Sequence, residues 1–423
     1  MAVLNICTDN PNLSYIVNKN PQTQIESGVF KKNCSTYKSF SWFPDPKVAK
    51  DFSLYLSKIP NKNSDSFEYL DYSSTCNPEL YLKLIQNHLS TCFKKQHEMD
   101  EKGFTSFASF LCLVPRPKVI LDGINLEVLT SANHFKVTVT GDTIHDILNK
   151  ICVWCYMQYQ TTDYFYFCDG EFEKYQEILP RYTQDYISLC SFISKANSVA
   201  KHNQASLFFD QTTPFTFYFG NNSEQRLKAI IKEVKDLPNP ADKTLLDLGA
   251  GEGLYVKHLK NLFKHIIAVE KDPDVFESLE WFVKKREIEN TELYNQCIFD
   301  YLQTQEDLSE NVQVVLCTEV LEHIPKEEAS TLLQFLVDKK VETIILTVPN
   351  KDFNVYYGIK EEEIRHKDHL WEPTQSEFVN FIAEINTEGY DIVVKPLGNL
   401  AKSTYSCPTL LSVFTLKKVP CGI

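Results

Sequence analysis

Glu319, Glu322 and His323 follow directly on an apolar run in VVLCTEVLEHIPKEE, residues 314–328. Their types and spacing suit metal ligation. In a helical turn, positions i, i+3 and i+4 share one face. Two carboxylates and an imidazole would then project together from the carboxyl end of a buried strand, where open α/β sheets place their chemistry. Such a site needs a fourth ligand, and RHKDHLWE supplies two candidates, His366 and His369, the only closely spaced histidine pair in the chain. The plainer alternative is a helix N-terminus enriched in acids, with Pro325 in its first turn.

A second signal lies upstream. In LLDLGAGEG, Asp247, Gly249, Gly251 and Gly253 close an apolar strand and open a helix, so the backbone can turn tightly and approach a ligand. The strand IIAVE then ends in Glu270, placed to hydrogen-bond a ribose diol. The spacing is GxGxG rather than GxGxxG, and with an acid before it the loop points to the sulfonium cofactor S-adenosylmethionine rather than to a pyrophosphate. Asp300, after CIF at the expected end of a third strand, is a further candidate contact on the adenine side.

These residues need a scaffold, and the segments around them alternate as one would. TLLDLGAGEG, IIAVEKD, ELYNQCIFDYL, VQVVLCTEV and TIILTVPN read as strands separated by helices, which predicts a doubly wound, Rossmann-like α/β domain over 223–423. Its first helix is SEQRLKAIIKEVKDL, with Ser223 as candidate N-cap. Residues 206–222 read as a linker, rich in polar turn formers. Before it, residues 1–205 mix strands (FKVTVTG, YFYFCDGEF) with helices (ELYLKLIQNHLSTCFKK, FEKYQEILPRYTQDYISLCSFISKA), an α+β domain without a nucleophile elbow, P-loop or acid pair.

The chain of 423 residues carries a net charge of −13, with 23 basic and 34 acidic groups beyond residue 220. This balance disfavours tight nonspecific binding to a polyanion, which draws its affinity from phosphate neutralisation. A nucleic-acid substrate would need a local basic patch, a bound cation or a partner. No apolar run is long enough to span a membrane, and the N-terminus lacks the pattern of a signal peptide, so the expected address is the cytosol. The thirteen cysteines are scattered and read as reduced thiols, mostly core; Cys152 and Cys155 form a single CxxC without a partner pair.

DLGAGEG, EVLEHI, VPNKDFN, RHKDHLWEPTQSEF and CPTLLSVFT together resemble the catalytic domain of the small-RNA 3′-terminal 2′-O-methyltransferases. NLSYIVNKNP, SWFPD and YFYFCDGEFEKYQ resemble, in order, the N-terminal domain of the bacterial members. The resemblance implies that Glu319, Glu322, His323 and His369 are the metal ligands and that Asp247, Gly249, Gly251 and Glu270 surround S-adenosylmethionine. It also implies that residues 1–205 bind or activate an RNA-repair kinase-phosphatase/ligase partner. The family pattern after the histidine is phenylalanine, glutamate, tryptophan, threonine, arginine; here Trp371, Glu372, Pro373, Thr374 and Gln375 stand instead, losing an aromatic and a cation.

The mixed oxygen and nitrogen set so implied suits Mn²⁺ better than Mg²⁺. It leaves two octahedral positions, enough for the vicinal hydroxyls of an unmodified 3′-terminal ribose. His366, or Asp368 acting on a metal-bound histidine, is expected to assist proton removal or fix a tautomer. A small-molecule methyltransferase would share the glycine loop without needing the Glu/His quartet, and an interaction protein would depend mainly on the N-terminal half.

Overall fold

Seven short strands build the first part of the chain among the described residues. They are β1 (Ala2–Thr8), β2 (Gln24–Lys32), β3 (Ser35–Trp42), β4 (Asp51–Ile59), β5 (Ser106–Leu113), β6 (Ile124–Val128) and β7 (His134–Gly141). They form an antiparallel sheet in the order β2-β3-β4-β1-β5-β7-β6. The computed structural model describes residues 2–17, 24–32, 35–44, 50–59, 75–114, 121–129, 134–158, 169–199, 213–218 and 221–417. The chain divides into two units, residues 1–202 and 203–423.

In the first unit, β5 buries alternate residues, as expected of a sheet covered on one face. The helices Pro78–Lys94 and Ile144–Gln158 pack on each other and against it. The first of these is capped by Asn77, whose side chain accepts from the Leu80 N–H at 3.0 Å. The long helix expected over 172–196 is broken at Pro180, which lacks the N–H that a continuing helix needs. Helix Asp169–Ile178 ends there, one 3₁₀ turn follows at Leu179–Arg181, and a second helix runs over Tyr186–Val199. Of the strand expected at YFYFCDGEF, residues 164–168 lie outside the described residues, and Asp169–Phe172 begin a helix instead. Cys152 and Cys155 sit in the core helix, buried and not disulfide-bonded, and burial pushes the Cys155 thiol well above its ordinary range.

The second unit contains the sheet that carries the candidate site. Its strands are β8 (Phe215–Thr216), β9 (Thr244–Leu248), β10 (His265–Glu270), β11 (Thr291–Asn295), β12 (Val314–Thr318), β13 (Thr343–Pro349), β14 (Tyr390–Leu397), β15 (Leu400–Ala401) and β16 (Thr409–Leu416). Seven of them form one sheet in the order β11-β10-β9-β12-β13-β16-β14, while β8 pairs with β15. The first five run parallel. The sheet is not parallel throughout, because β16 enters antiparallel between β13 and β14.

Each face of this sheet has its own apolar layer. Leu246, Leu248, Val315 and Leu346 meet the helices Lys326–Asp338 and Gln375–Ala383 on one side. Leu245, Leu316 and Ile345 meet Asn222–Lys235, Leu254–Leu259 and Pro273–Lys285 on the other. A strand buried on both faces reads as a continuous apolar run, which explains VVLC and TIIL. The first helix is capped by Asn221 in a reciprocal box with Glu224, two residues before the expected Ser223. Strand order reverses at β9, so β9 and β12 open a crevice at their carboxyl ends. Among the described residues no helix is long and apolar enough to cross a membrane.

Candidate active site

The glycine loop closes β9 as the sequence suggests. Gly249 and Ala250 donate their N–H groups to the Val269 carbonyl at 2.9 and 3.0 Å, folding the loop over the neighbouring strand. Gly249 has φ +75°, and a Cβ there would lie 2.5 Å from Val320 Cγ2. Gly251 has φ +56°, but a Cβ there would meet nothing within 4 Å, so the loop leaves open space on that side. Glu270 fixes the turn: its two oxygens accept from the N–H groups of Gly251 and Asp272, each at 2.9 Å. Each carboxylate oxygen keeps a further lone pair for a ligand hydroxyl.

Asp247 lies beneath this loop, fully buried, and neither of its carboxylate oxygens has a hydrogen-bond partner among the described residues. Burial, and then the charge of Glu270, push its pKa up to about 7. A buried acid left without donors is a receptor for a cation. The α-ammonium of an amino-acid-bearing cofactor such as S-adenosylmethionine has the required charge and donors. Asp300 is placed differently from the sequence expectation. ELYNQCIFDYL divides into β11 and a helix Ile298–Gln303, so Asp300 lies exposed in a first helical turn and not at a strand end.

At the end of β12 the chain turns sharply. Glu319 takes φ +52°, uncommon for a residue other than glycine, and its N–H reaches the carbonyl and hydroxyl oxygens of Thr347 at 3.0 and 3.2 Å. Only three residues, Leu321–His323, then form a 3₁₀ turn. The common helical face expected for Glu319, Glu322 and His323 therefore does not form. Glu322, His323 and His369 nevertheless converge, each offering a donor atom within 4.8 Å of the others. Glu319 stands outside that group: Arg226 Nη1 lies 2.8 Å from its Oε2, and the Thr347 hydroxyl donates to its Oε1 at 3.0 Å.

The donor set has the electrostatics of a cation site. Glu322 is fully buried, neither oxygen has a hydrogen-bond partner among the described residues, and its pKa is raised well above the ordinary carboxylate range by burial and then by Glu319. The two imidazoles meet edge to face, with centroids 4.8 Å apart. His323 is shifted downward, chiefly by burial, toward the neutral form that binds metals. Its Nδ1 lies 3.1 Å from the Asp368 carbonyl oxygen, and His369 Nδ1 lies 2.5 Å from Glu372 Oε1. In both rings this leaves Nε2 for a ligand. His366 remains outside the set, 60% exposed, with its Nδ1 3.4 Å from Asp368.

Two residues central to this geometry were not singled out from the sequence. Arg226 reads there as one polar position of an amphipathic helix, yet it crosses to Glu319. Glu372, part of the departing WEPTQ run, is the outer partner of His369 in place of the expected His366 or the Asp368 carboxylate; Asp368 acts on His323 through its carbonyl. Trp371 fastens the same loop to the turn, its indole N–H shared between the Leu321 and Ile324 carbonyls at 2.9 and 3.0 Å.

Residues 3–204 match the family model of the Hen1 N-terminal domain, and residues 222–384 match a methyltransferase domain. The chain is 31% identical over 77 residues to a small RNA 2′-O-methyltransferase of Caenorhabditis elegans, covering 18% of this chain and 17% of that protein. It is 30% identical over 105 residues to one of Tetrahymena thermophila, covering 24% of each. It thus spans less than a quarter of the length of these curated relatives. A solved structure of the Pnkp1/Rnl/Hen1 RNA repair complex shares the fold with TM-score 0.71 at 18% identity, covering 98% of this chain and 100% of that one. In one chain, a match to the Hen1 N-terminal domain is thus joined to a match to a methyltransferase domain.

Proposed function

We propose that this protein transfers the methyl group of S-adenosylmethionine to the 2′-OH of the 3′-terminal ribose of RNA, with one divalent cation, Mn²⁺ or Mg²⁺, in the site. The observation that carries the reading is that two groups of buried polar atoms stand at the carboxyl ends of the neighbouring strands β9 and β12. Asp247 is a buried acid at the end of β9 whose oxygens have no partner among the described residues, and Glu322, His323 and His369 form a convergent donor set just beyond β12. A small-molecule methyltransferase would need the first but not the second.

In this reading Asp247 accepts the cofactor ammonium and Glu270 takes the ribose diol, while Gly249 and Gly251 let the backbone come close. Glu322, His323 and His369 hold the cation, with Glu319 as fourth ligand and His323 and His369 presenting Nε2. The bound cation would supply charge stabilisation to the hydroxyl as it loses its proton. Asp300, in its helical turn, is assigned to the adenine side. The relatives named for small-RNA 2′-O-methylation support RNA as substrate, and the solved repair complex supports a kinase-phosphatase/ligase partner for residues 1–205; the cytoplasm is the proposed place of action. Transfer of labelled methyl from S-adenosylmethionine to a synthetic RNA, with Mn²⁺ and with a chelator, tests the proposal. Transfer that ignores the chelator, or that occurs on small catechol-type acceptors and not on RNA, refutes it.

A further inference from the structure

We propose that Glu372 is a positioning residue that fixes the proton on His369 Nδ1 and thereby sets how strongly this protein holds its cation. The inference rests on the donor set assigned under the proposed function. Glu372 is fully buried at its side chain, yet it lies outside the converging donor atoms and so does not itself reach a cation held there. A buried carboxylate is costly unless its lone pairs are filled. Here three donors converge on it: His369 Nδ1 at 2.5 Å and the Arg365 N–H at 2.8 Å on Oε1, and Asn354 Nδ2 at 2.6 Å on Oε2.

An ionised carboxylate only accepts hydrogen bonds, so the contact to Nδ1 requires the proton there and leaves the lone pair on Nε2 for a cation. A carboxylate behind an imidazole also raises the donor strength of its far nitrogen. His323 has only a neutral carbonyl, that of Asp368, in the equivalent place. The two imidazoles are therefore unequal, and His369 is the stronger ligand because of Glu372.

The surrounding contacts hold Glu372 in register with the ring. Asn354, which donates to Glu372, accepts from Arg365 Nε at 2.5 Å. The rest of the Arg365 guanidinium donates to the carbonyls of Pro408 and Asn350. The loop bearing His369 is thus tied to the ends of β13 and β16, which fixes the ring plane as well as the tautomer.

Glu372→Gln tests this by removing the charge: an amide oxygen at the Oε1 position still accepts from His369 and Arg365, while the amide nitrogen meets the Asn354 Nδ2 donor on the other side. Mn²⁺ binding to the full chain, followed through the electron paramagnetic resonance signal of free Mn²⁺, should weaken by about 10- to 100-fold. Affinity for S-adenosylhomocysteine should stay close to wild type. Equal Mn²⁺ affinity in the two proteins, or a parallel loss of cofactor affinity, overturns the assignment. Wild-type protein that binds no Mn²⁺ overturns the donor-set reading beneath it as well. Independently of any variant, long-range ¹H–¹⁵N spectra of the wild-type protein should show His369 protonated at Nδ1; an Nδ1 without its proton overturns the proposal.

Discussion

Replacing Asp247 with asparagine should make the ligand-free protein more stable while making it a poorer cofactor binder. An acid whose pKa moves from 3.8 to about 7 on folding costs the fold ~4 kcal/mol once ionised. The sign follows from which state keeps the proton. Between those two values the folded chain holds a proton that the unfolded chain has lost, so ligand-free stability falls as pH rises through that window and is level above it. Asparagine has no proton to lose, and its amide fits the same volume. At about pH 8 the variant should melt higher than wild type by about 2–4 °C per kcal/mol regained, for a domain of this size. At about pH 5 the advantage should shrink to less than half. Binding should move the other way, because the charge-assisted bond to an ammonium is worth about 1.5–3 kcal/mol, or roughly 10- to 150-fold in affinity. Thermal melts at the two pH values, with and without S-adenosylhomocysteine, measure both effects together. If Asp247→Asn binds the ligand as tightly as wild type, or melts lower at pH 8, the buried acid is not the cofactor's counter-ion.

Three further outcomes are expected. Glu322→Gln, His323→Ala and His369→Ala should each abolish methyl transfer while leaving S-adenosylhomocysteine affinity within about twofold, since they stand beyond β12 and not at the glycine loop; calorimetric titration beside the transfer assay separates the two sites. RNA ending in a 3′-deoxynucleotide should be methylated slower by orders of magnitude, whereas changing the terminal base should alter the rate little; equal rates on 3′-deoxy and parent RNA would sink chelation by both hydroxyls. Trp371→Phe removes the N–H shared by the Leu321 and Ile324 carbonyls. It should cost about 1–3 kcal/mol in chemical denaturation and weaken Mn²⁺ binding; an unchanged midpoint would mean that water satisfies both carbonyls equally well.

The alternation from Thr244 to Pro349 was legible because strands buried on both faces leave unbroken apolar runs and their connecting helices leave amphipathic ones. Glycine spacing located the turn over Asp247 for the same kind of reason: few residues tolerate those dihedrals. What stayed hidden depends on contacts distant in sequence. Glu319 turns into the left-handed region because its N–H continues the pairing with Thr347, and no local propensity announces that. The direction of β16 follows from closing the sheet between β13 and β14, not from its own composition. Arg226 and Glu372 look like ordinary surface polarity until Glu319 and His369 are brought against them.

The insertion of β16 bears on how the protein is made. Residues 409–416 form the strand between β13 and β14, and the Pro408 and Cys407 carbonyls just before it receive Arg365 and Asn350. During synthesis the first unit can complete its sheet early, since the seven strands of that sheet among the described residues precede residue 142. The second unit cannot: until β16 leaves the ribosome, β13 presents an open apolar edge and β14 has no neighbour. A chain terminated near residue 408 would carry every candidate ligand and still lack the strand that holds their loop, leaving an aggregation-prone product and no partially active one.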